Sequence, residues 1–398
     1  MEISMEHKFT LNENQLLDIS EELIARVRQG LERDNQQIKS LLTYVPMKKH
    51  VAGDRAIVID LGGTNVRSAL MSMGNAPNYI LKGTLEDRLP LTRGVPIDRE
   101  TYLRVQSKLI ADLDAEDGLP LGYCFSFPAK ATVEGDAVLL KWTKGIFVPD
   151  TIGEPAGKLL FDDVTKQGVR CSHVSVINDT VASLFAGLTK ESVDAYIGLI
   201  VGTGTNMASF IDSANIQKIS PELNWQGDIP VNFESGNFHP PHLNEFDDIV
   251  DVESENPGEQ RFEKAVSGAY LGRILKAAHP DSDFDPSSGS RGVVALAYDH
   301  DDNNELTRTA RAILKRSAQL VAASLSGLIR LLSETRSVET VRIVAEGSLI
   351  WKAPRFSEET ESTLYRMLRS LDLPHIKVEL MRIENANLIG SAMAALAK

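Results

Sequence analysis

Ile59-Asp60-Leu61-Gly62-Gly63-Thr64-Asn65-Val66-Arg67-Ser68 returns later in the chain as Ile200-Val201-Gly202-Thr203-Gly204-Thr205-Asn206-Met207-Ala208-Ser209, with Thr64 matched to Thr205 and Thr-Asn-x-x-Ser repeated. Each copy reads as an apolar strand, a turn of glycine and threonine, and a second strand. Ile57-Val58-Ile59, ahead of the first turn, is a short continuous apolar run, the pattern of a strand buried on both faces. Either turn alone is an ordinary tight hairpin. The pair reads as a duplicated unit, one copy per domain, and a turn of this composition lets an anion approach backbone N–H groups. Two such turns facing each other across a cleft would hold a polyphosphate from both sides.

Outward from the repeat, β-rich runs at Ser68–Met73, Tyr123–Phe127, Val138–Trp142, Val174–Ile177, Tyr196–Val201 and Val341–Ala345 alternate with helical patterns. That alternation predicts an α/β protein whose helices cover mainly parallel or mixed sheets. Leu16, Ile19, Leu23, Val27 and Leu31 recur at three- and four-residue spacing, which predicts an amphipathic packing helix. Thr309–Leu332 is strongly helical in pattern, and the small apolar residues of Ile389–Leu396 suit a helix packed closely on another element. Two stretches read as surface. His242–Glu259 carries seven acids and no Lys or Arg, a solvated face or loop, and His279–Glu305 is rich in Asp, Ser, Gly and Asn, with an apolar period only at Val293–Tyr298.

The chain has 398 residues, 42 Lys+Arg against 55 Asp+Glu, and a formal charge of −13; 42% of residues are hydrophobic and 24% charged. Disordered, collagenous and disulfide-scaffold classes do not fit that composition. The length suggests two domains, or three, and hence a cleft able to enclose a ligand. Nucleic acid is not an expected partner, because the charge surplus is acidic and no Lys/Arg run exceeds Lys48-Lys49. Cys124 and Cys171 are the only cysteines, too few for a disulfide framework or a Cys-rich metal site. Met1–Thr10 lacks the apolar core of a signal peptide and no 18-residue apolar stretch occurs, so a cytoplasmic protein without membrane contact is expected.

Asp60 and Asp179 each end an apolar run, where carboxylates commonly reach into clefts. A phosphate-plus-magnesium site needs one acid near the metal, usually through water, and Asp60 suits that role. A phosphoryl-acceptor hydroxyl needs a second carboxylate to orient it and take its proton, and Asp179 suits that one. Either residue alone would be an ordinary cap of a following helix. Cys124-Phe125-Ser126-Phe127-Pro128 and Lys141-Trp142-Thr143-Lys144-Gly145 combine hydroxyls, a cation and aromatic surface, a combination that binds neutral sugars. Glu234 and Glu263, in Asn232–Phe238 and Arg261–Lys264, are two more acids in apolar settings able to accept hydrogen bonds from sugar hydroxyls.

Together these segments resemble the hexokinase family of the eukaryotic hexokinase and glucokinase type, sugar kinases of the actin-like ATPase (ribonuclease H-like) fold, two domains with an interdomain cleft. Asp60–Arg67 resembles the first phosphate motif, Phe125–Pro128 with Trp142–Gly145 the hexose signature, and Ile177–Ala182 the catalytic-base segment. Gly202–Asn206 resembles the second phosphate motif, Asn232–Gly236 and Asn256–Gly272 two sugar-binding segments, and Glu346-Gly347-Ser348 the adenosine-side turn. The resemblance implies that Asp179 is the base for the sugar 6-hydroxyl and that Lys144 stabilises the transferring phosphoryl group. Ser126, Thr143, Lys144, Asn178, Asp179, Asn206, Glu234 and Glu263 would contact the sugar. Gly62, Gly63, Thr64, Asn65 and Arg67 on one side and Thr203, Gly204 and Thr205 on the other would cradle phosphates, Gly347 and Ser348 would face the nucleoside, and Asp60 would hold Mg2+ through water.

The implied activity is ATP-dependent phosphorylation of glucose and other hexoses at the 6-hydroxyl, the first step of glycolysis, with hexose and Mg-ATP as partners and homo-oligomerisation left open. The competing reading is a catalytically silent sugar sensor or scaffold; the presence of Asp179, Lys144 and Gly63 weighs against it. A dinucleotide oxidoreductase fits worse, since the first turn does not spell Gly-x-Gly-x-x-Gly and the second is followed by strand-like residues. The expected division is residues 1–52 as an N-terminal helix and connection on the large domain, 53–179 with the helix 386–398 as the small domain, and 180–385 as the large domain. Three departures from the family pattern bear on specificity: Ser235 where Trp is usual, which predicts a wider or wetter pocket wall, Ile146 where Phe is usual, and a short segment at His279–Leu306.

Overall fold

The computed structural model describes residues 4–48, 50–74, 78–92, 94–298 and 304–398. The strands of the first repeat, Arg55–Leu61 and Asn65–Met73, pair antiparallel inside a five-stranded sheet whose spatial order is Tyr79–Arg88, Asn65–Met73, Arg55–Leu61, Leu121–Phe125, Val174–Ile177, the last two running parallel to Arg55–Leu61. The strands of the second repeat, Ala195–Val201 and Thr205–Asp212, occupy the same places in a second sheet: Asp228–Asn232, Thr205–Asp212, Ala195–Val201, Thr340–Glu346, Lys377–Met381. Leu41–Leu42 adds a short sixth strand beside Asp228–Asn232. The duplication read from one decapeptide therefore extends to whole sheets. Tyr79–Arg88, Asp228–Asn232 and Lys377–Met381 are not legible as strands: the first is a mostly exposed edge with Gly83 and three consecutive charges, the second carries Pro230, and the third has charges at Lys377 and Glu379.

Three apolar cores hold this plan together. One lies outside the five-stranded sheet, under the helices Arg99–Ala111 and Ala156–Lys166. A second lies outside the six-stranded sheet, where Glu305–Thr335 and Phe356–Ser370 pack with the N-terminal helix Glu13–Glu32. That N-terminal helix buries Leu16, Ile19, Leu23, Val27 and Leu31, the residues whose spacing predicted it, each worth on the order of 1.5–3 kcal/mol. Asn12 begins it with a reciprocal capping box to Gln15. The third core sits between the sheets, where Asp179–Ala186 and Ala386–Leu396 cross. A Cβ on Gly390 would collide with the carbonyl of Ala182, and one on Gly198 with the carbonyl of Thr180, so both contacts require glycine. Asp179–Ala186 contributes Val181, Leu184 and Phe185 to this shared core.

Two surface readings change. The acidic stretch folds into a capped helix, Glu245–Val252, that buries Asp247 and Asp251. Asp247 forms a two-pronged pair with Arg316, both bonds 2.7 Å, and Asp251 accepts from Lys264 at 2.7 Å and Arg261 at 3.1 Å. Arg316 lies 69 residues beyond Asp247, whereas Arg261 and Lys264 lie 10 and 13 residues beyond Asp251, just past the end of the acidic stretch. Within 279–305, Gly289–Tyr298 is a helix, not a connection, and residues 299–303 lie outside the described residues. Among the described residues no helix is long and apolar enough to cross a membrane.

Candidate active site

A cleft of about 750 Å3 opens between the two sheets, with Gly62, Ser126, Thr143, Lys144, Asn178 and Asp179 on one wall and Gly202–Asn206, Glu234, Glu263, Gly347 and Ser348 on the other. The two repeated turns thus face one cavity. Their hydrogen-bond registers differ. The first turn leaves Gly62–Asn65 between the paired residues Leu61 and Val66; the second leaves Gly202–Gly204 between Val201 and Thr205. Gly63 takes φ 121°, and its position is 3.8 Å short of Lys144 Cδ as measured from an added Cβ, so the turn lies against the lysine stem.

Asp60 is buried beneath the first turn, 4% exposed, and its Oδ2 accepts from Arg67 Nη2 at 2.6 Å across the hairpin, where the two residues are strand partners. Arg67 also reaches Asn385 Oδ1 at 3.4 Å, and Asn387 Nδ2 lies 3.4 Å from both oxygens of Asp60. Arg67 is thus paired with Asp60, and it is not among the residues that line the cleft. Glu346 belongs to the same charge group: burial raises its pKa, opposed by Arg382 and Arg67 and reinforced by Asp60. Glu346 Oε1 and Asn387 Oδ1 are both buried without a hydrogen-bond partner.

Lys144, at φ 59°, turns back over the Phe127 ring at 5.3 Å, and its Nζ donates to the Ser126 carbonyl at 2.8 Å. Trp142 stands edge-on to Phe127, 4.8 Å between centroids, and its indole N–H donates to the Val148 carbonyl, so the hexose-like signature is braced as one unit. Asn178 caps the helix that Asp179 begins, accepting from Thr180 N at 2.9 Å.

Three carboxylates in the cleft share one design. Asp179 Oδ1 accepts from Thr180 N at 2.8 Å, Glu234 Oε1 from Asn232 Nδ2 at 2.8 Å, and Glu263 Oε2 from Thr205 N at 3.1 Å. No protein hydrogen bond among the described residues takes up Asp179 Oδ2, Glu234 Oε2 or Glu263 Oε1. Each acid is anchored through one oxygen and offers the other to the cleft. Burial pushes the Glu234 carboxyl above its ordinary range, opposed by the Asn232 hydrogen bond and reinforced by Asp179; burial likewise raises Glu263, opposed by the Thr205 N–H and reinforced by Glu234. Such a set presents hydrogen-bond acceptors to a ligand rich in hydroxyl donors. Among the described residues no group of three His, Cys, Asp or Glu side chains is arranged to hold a metal directly.

Several implied contacts are placed otherwise. Thr205 lines the cleft, but its hydroxyl donates to the Ile200 carbonyl at 2.9 Å. Asn206 spends its amide on Met207 N, Ser235 N and Asn232 Oδ1, making it the brace of the sugar-side loop. Thr64 and Asn65 lie outside the cleft lining, and the Thr64 carbonyl accepts from Leu89 N. Ser235 is fully buried with its hydroxyl unpartnered, and Gly236, Asn237, Gln260 and Tyr270 line the neighbouring wall of the cleft. Ile146 is likewise buried in the outer core of the five-stranded sheet. Asn232, the relay from Asn206 to Glu234, was visible only as a neighbour of Glu234 in sequence.

Gly347 closes the second half of the site. At φ 119° it packs so tightly that a Cβ would collide with the Val201 carbonyl, pressing the Gly347-Ser348 turn onto the second repeat. Beyond it a second cavity of about 680 Å3 is lined by Thr203, Gly268, Ser288, Ser290, Arg291, Ser348 and Lys352. Of these, sequence reading had singled out Thr203 and Ser348 as contacts; Ser290 and Arg291 sit in the stretch taken for a connection.

Two sheets of one plan, a crossed pair of helices between them and facing glycine turns define the actin-like ATPase fold of sugar kinases. Hexokinase family profiles match residues 3–188 and, in two segments, 196–281 and 290–397, and the chain belongs to the hexokinase family. Hexokinase-5 of Oryza sativa subsp. japonica is 30% identical over 92% of this chain and 83% of its own length, and hexokinase-2 of Saccharomyces cerevisiae is 29% identical over 91% and 84%. The solved hexokinase of Schistosoma mansoni complexed with glucose superposes with a TM-score of 0.77 at 23% identity, covering 99% of this chain and 97% of that one.

Proposed function

We propose that this protein is an ATP-dependent hexokinase that transfers the γ-phosphoryl group of ATP to the 6-hydroxyl of glucose and related hexoses. The observation that carries the reading is the trio of half-anchored carboxylates, Asp179, Glu234 and Glu263, facing a pair of glycine turns across one cleft. Glu234 and Glu263 receive sugar hydroxyls and fix the ring. Asp179 Oδ2 orients the 6-hydroxyl and accepts its proton as the oxygen bonds to phosphorus and the bond to the departing ADP breaks. Phosphoryl transfer asks little covalent chemistry of the protein, so orientation and charge stabilisation dominate. Lys144 and the N–H groups of the facing turns supply the latter.

Asp60, with the unpartnered oxygens of Glu346 and Asn387 nearby, suits a hydrated Mg2+ held through its water molecules, since Mg2+ keeps much of its hydration. Bound there, the ion would neutralise phosphate charge. Adenosine would occupy the cavity beyond Gly347 and Ser348. Closure of the two walls on the sugar would exclude water, the competing acceptor. The deciding assay is a panel of hexoses with ATP, GTP and pyrophosphate, reading sugar 6-phosphate. Product from glucose with Mg-ATP, and slow ATP hydrolysis without sugar, are the expected results; sugar binding without any phosphorylated product would overturn the reading.

A further inference from the structure

A cavity of about 480 Å3 lies behind the nucleotide cavity, walled by Tyr298, Arg311, Lys315, Arg355 and Glu359 over an apolar floor of Leu314, Ala318, Pro354 and Phe356. Three cations converge on it in a chain whose formal charge is −13. Lys315 and Arg355 form no ion pair among the described residues, and Arg311 uses its Nε on the Ala297 carbonyl at 2.7 Å. Among the described residues the wall holds one acid, Glu359, whose Oε1 accepts from Gln319 at 3.1 Å and Thr363 at 3.2 Å. Arg355 sits at φ 63° before the 15-residue helix Phe356–Ser370, and no side chain caps the N–H groups of its first turn. Cations, uncapped N–H groups and a tyrosine hydroxyl favour a phosphate; the floor of Leu314 and Phe356 favours an organic group attached to it.

We propose that this cavity binds a phosphate ester of a small metabolite, at a site separate from the phosphoryl-transfer cleft. The site adjoins the nucleotide cavity through two elements. Val294 and Ala295 of the helix Gly289–Tyr298 line the nucleotide side while Tyr298, one turn on, lines this one; Ala353 and Pro354 divide in the same way. A ligand here holds both elements and so adjusts nucleotide affinity, a coupling that reads equally in the other direction.

The test is calorimetric titration of the full chain with inorganic phosphate, glucose 6-phosphate and ADP, in the wild type and in the double variant Lys315→Glu with Arg355→Glu. Both residues are exposed, and thermal unfolding checks that the variant is folded. The wild type is expected to show a class of sites for glucose 6-phosphate or ADP that weakens at least about tenfold in the variant, with kcat and KM for hexose and ATP unchanged when no effector is added. Lys315→Ala with Arg355→Ala is expected to give the same loss, smaller in size. Identical isotherms for wild type and both variants would overturn the site. Inorganic phosphate binding as tightly as either ester would overturn the assignment of an organic phosphate, because the apolar floor would then contribute nothing.

Discussion

The first repeated turn runs Gly62-Gly63-Thr64-Asn65 between paired residues and the second only Gly202-Thr203-Gly204, although the two sequences align without a gap from Ile59 and Ile200. The second turn is one residue shorter and its pairing is shifted by three positions, Ile200 facing Asn206 where Ile59 faces Ser68, and an odd shift exchanges the faces of the side chains. Thr64 therefore stays in its turn, whereas Thr205 enters the strand, turns its hydroxyl onto Ile200 and gives its N–H to Glu263. The charge differs as well. The repeat sets Asp60 and Arg67 against Val201 and Ala208, so only the first copy carries a half-buried ion pair, and the second borrows Glu263 from a neighbouring helix. The duplicated backbone frames the cleft, and the charged groups sit where the copies diverge.

The strongest way to break this comparison is at the base. Asp179→Ala should lower kcat by at least ~10², measured with glucose and Mg-ATP, while hexose binding by calorimetry falls far less. Wild-type turnover would remove Asp179 from the mechanism. Next come the glycines. Gly347→Ala forces a Cβ against the Val201 carbonyl at φ 119° and should destabilise the fold by about 1–3 kcal/mol in denaturant titration, whereas Gly62→Ala, whose Cβ meets only Asp60 Oδ1 at 3.8 Å, should leave stability within about 0.5 kcal/mol. Equal effects would mean that the two halves of the site are equally tight.

A smaller effect sharpens the second turn. A Cβ at Gly204 would sit 2.6 Å from Glu263 Oε2, a movable side-chain end, so Gly204→Ala should displace that acid and raise the KM for hexose about tenfold with kcat within a few-fold. The smallest concerns pH. The Glu234 and Glu263 carboxyls are raised by burial, so the native protein binds their protons more tightly than the unfolded chain and loses stability as pH climbs from the unfolded value, about 4.3, through the higher folded values. Glu234→Gln should therefore raise the Tm of the ligand-free protein at neutral pH by a few degrees, with the gain vanishing in acid, while weakening hexose binding. A gain that grew in acid would reverse the sign of the argument for burial.

Much of the site was legible because its motifs are local. Asn178-Asp179, Gly202–Gly204 and Trp142–Gly145 each encode their own cap or turn, and all reach the cleft. What short segments do not carry is pairing: the Arg67 guanidinium meets Asp60 across the hairpin and Asn385 from near the end of the chain, and the acidic stretch meets Arg316 from a distant helix as well as the nearby Lys264.

By itself the sequence determined the α/β class, the duplication and the three carboxylates, since apolar period, glycine content and residue chemistry are properties of short segments. Packing sets which oxygen of each acid is anchored, which turn is one residue shorter, and that Arg67 pairs with Asp60. Those outcomes depend on hydrogen-bond partners and register, and a buried polar group takes whichever partner the fold brings within reach.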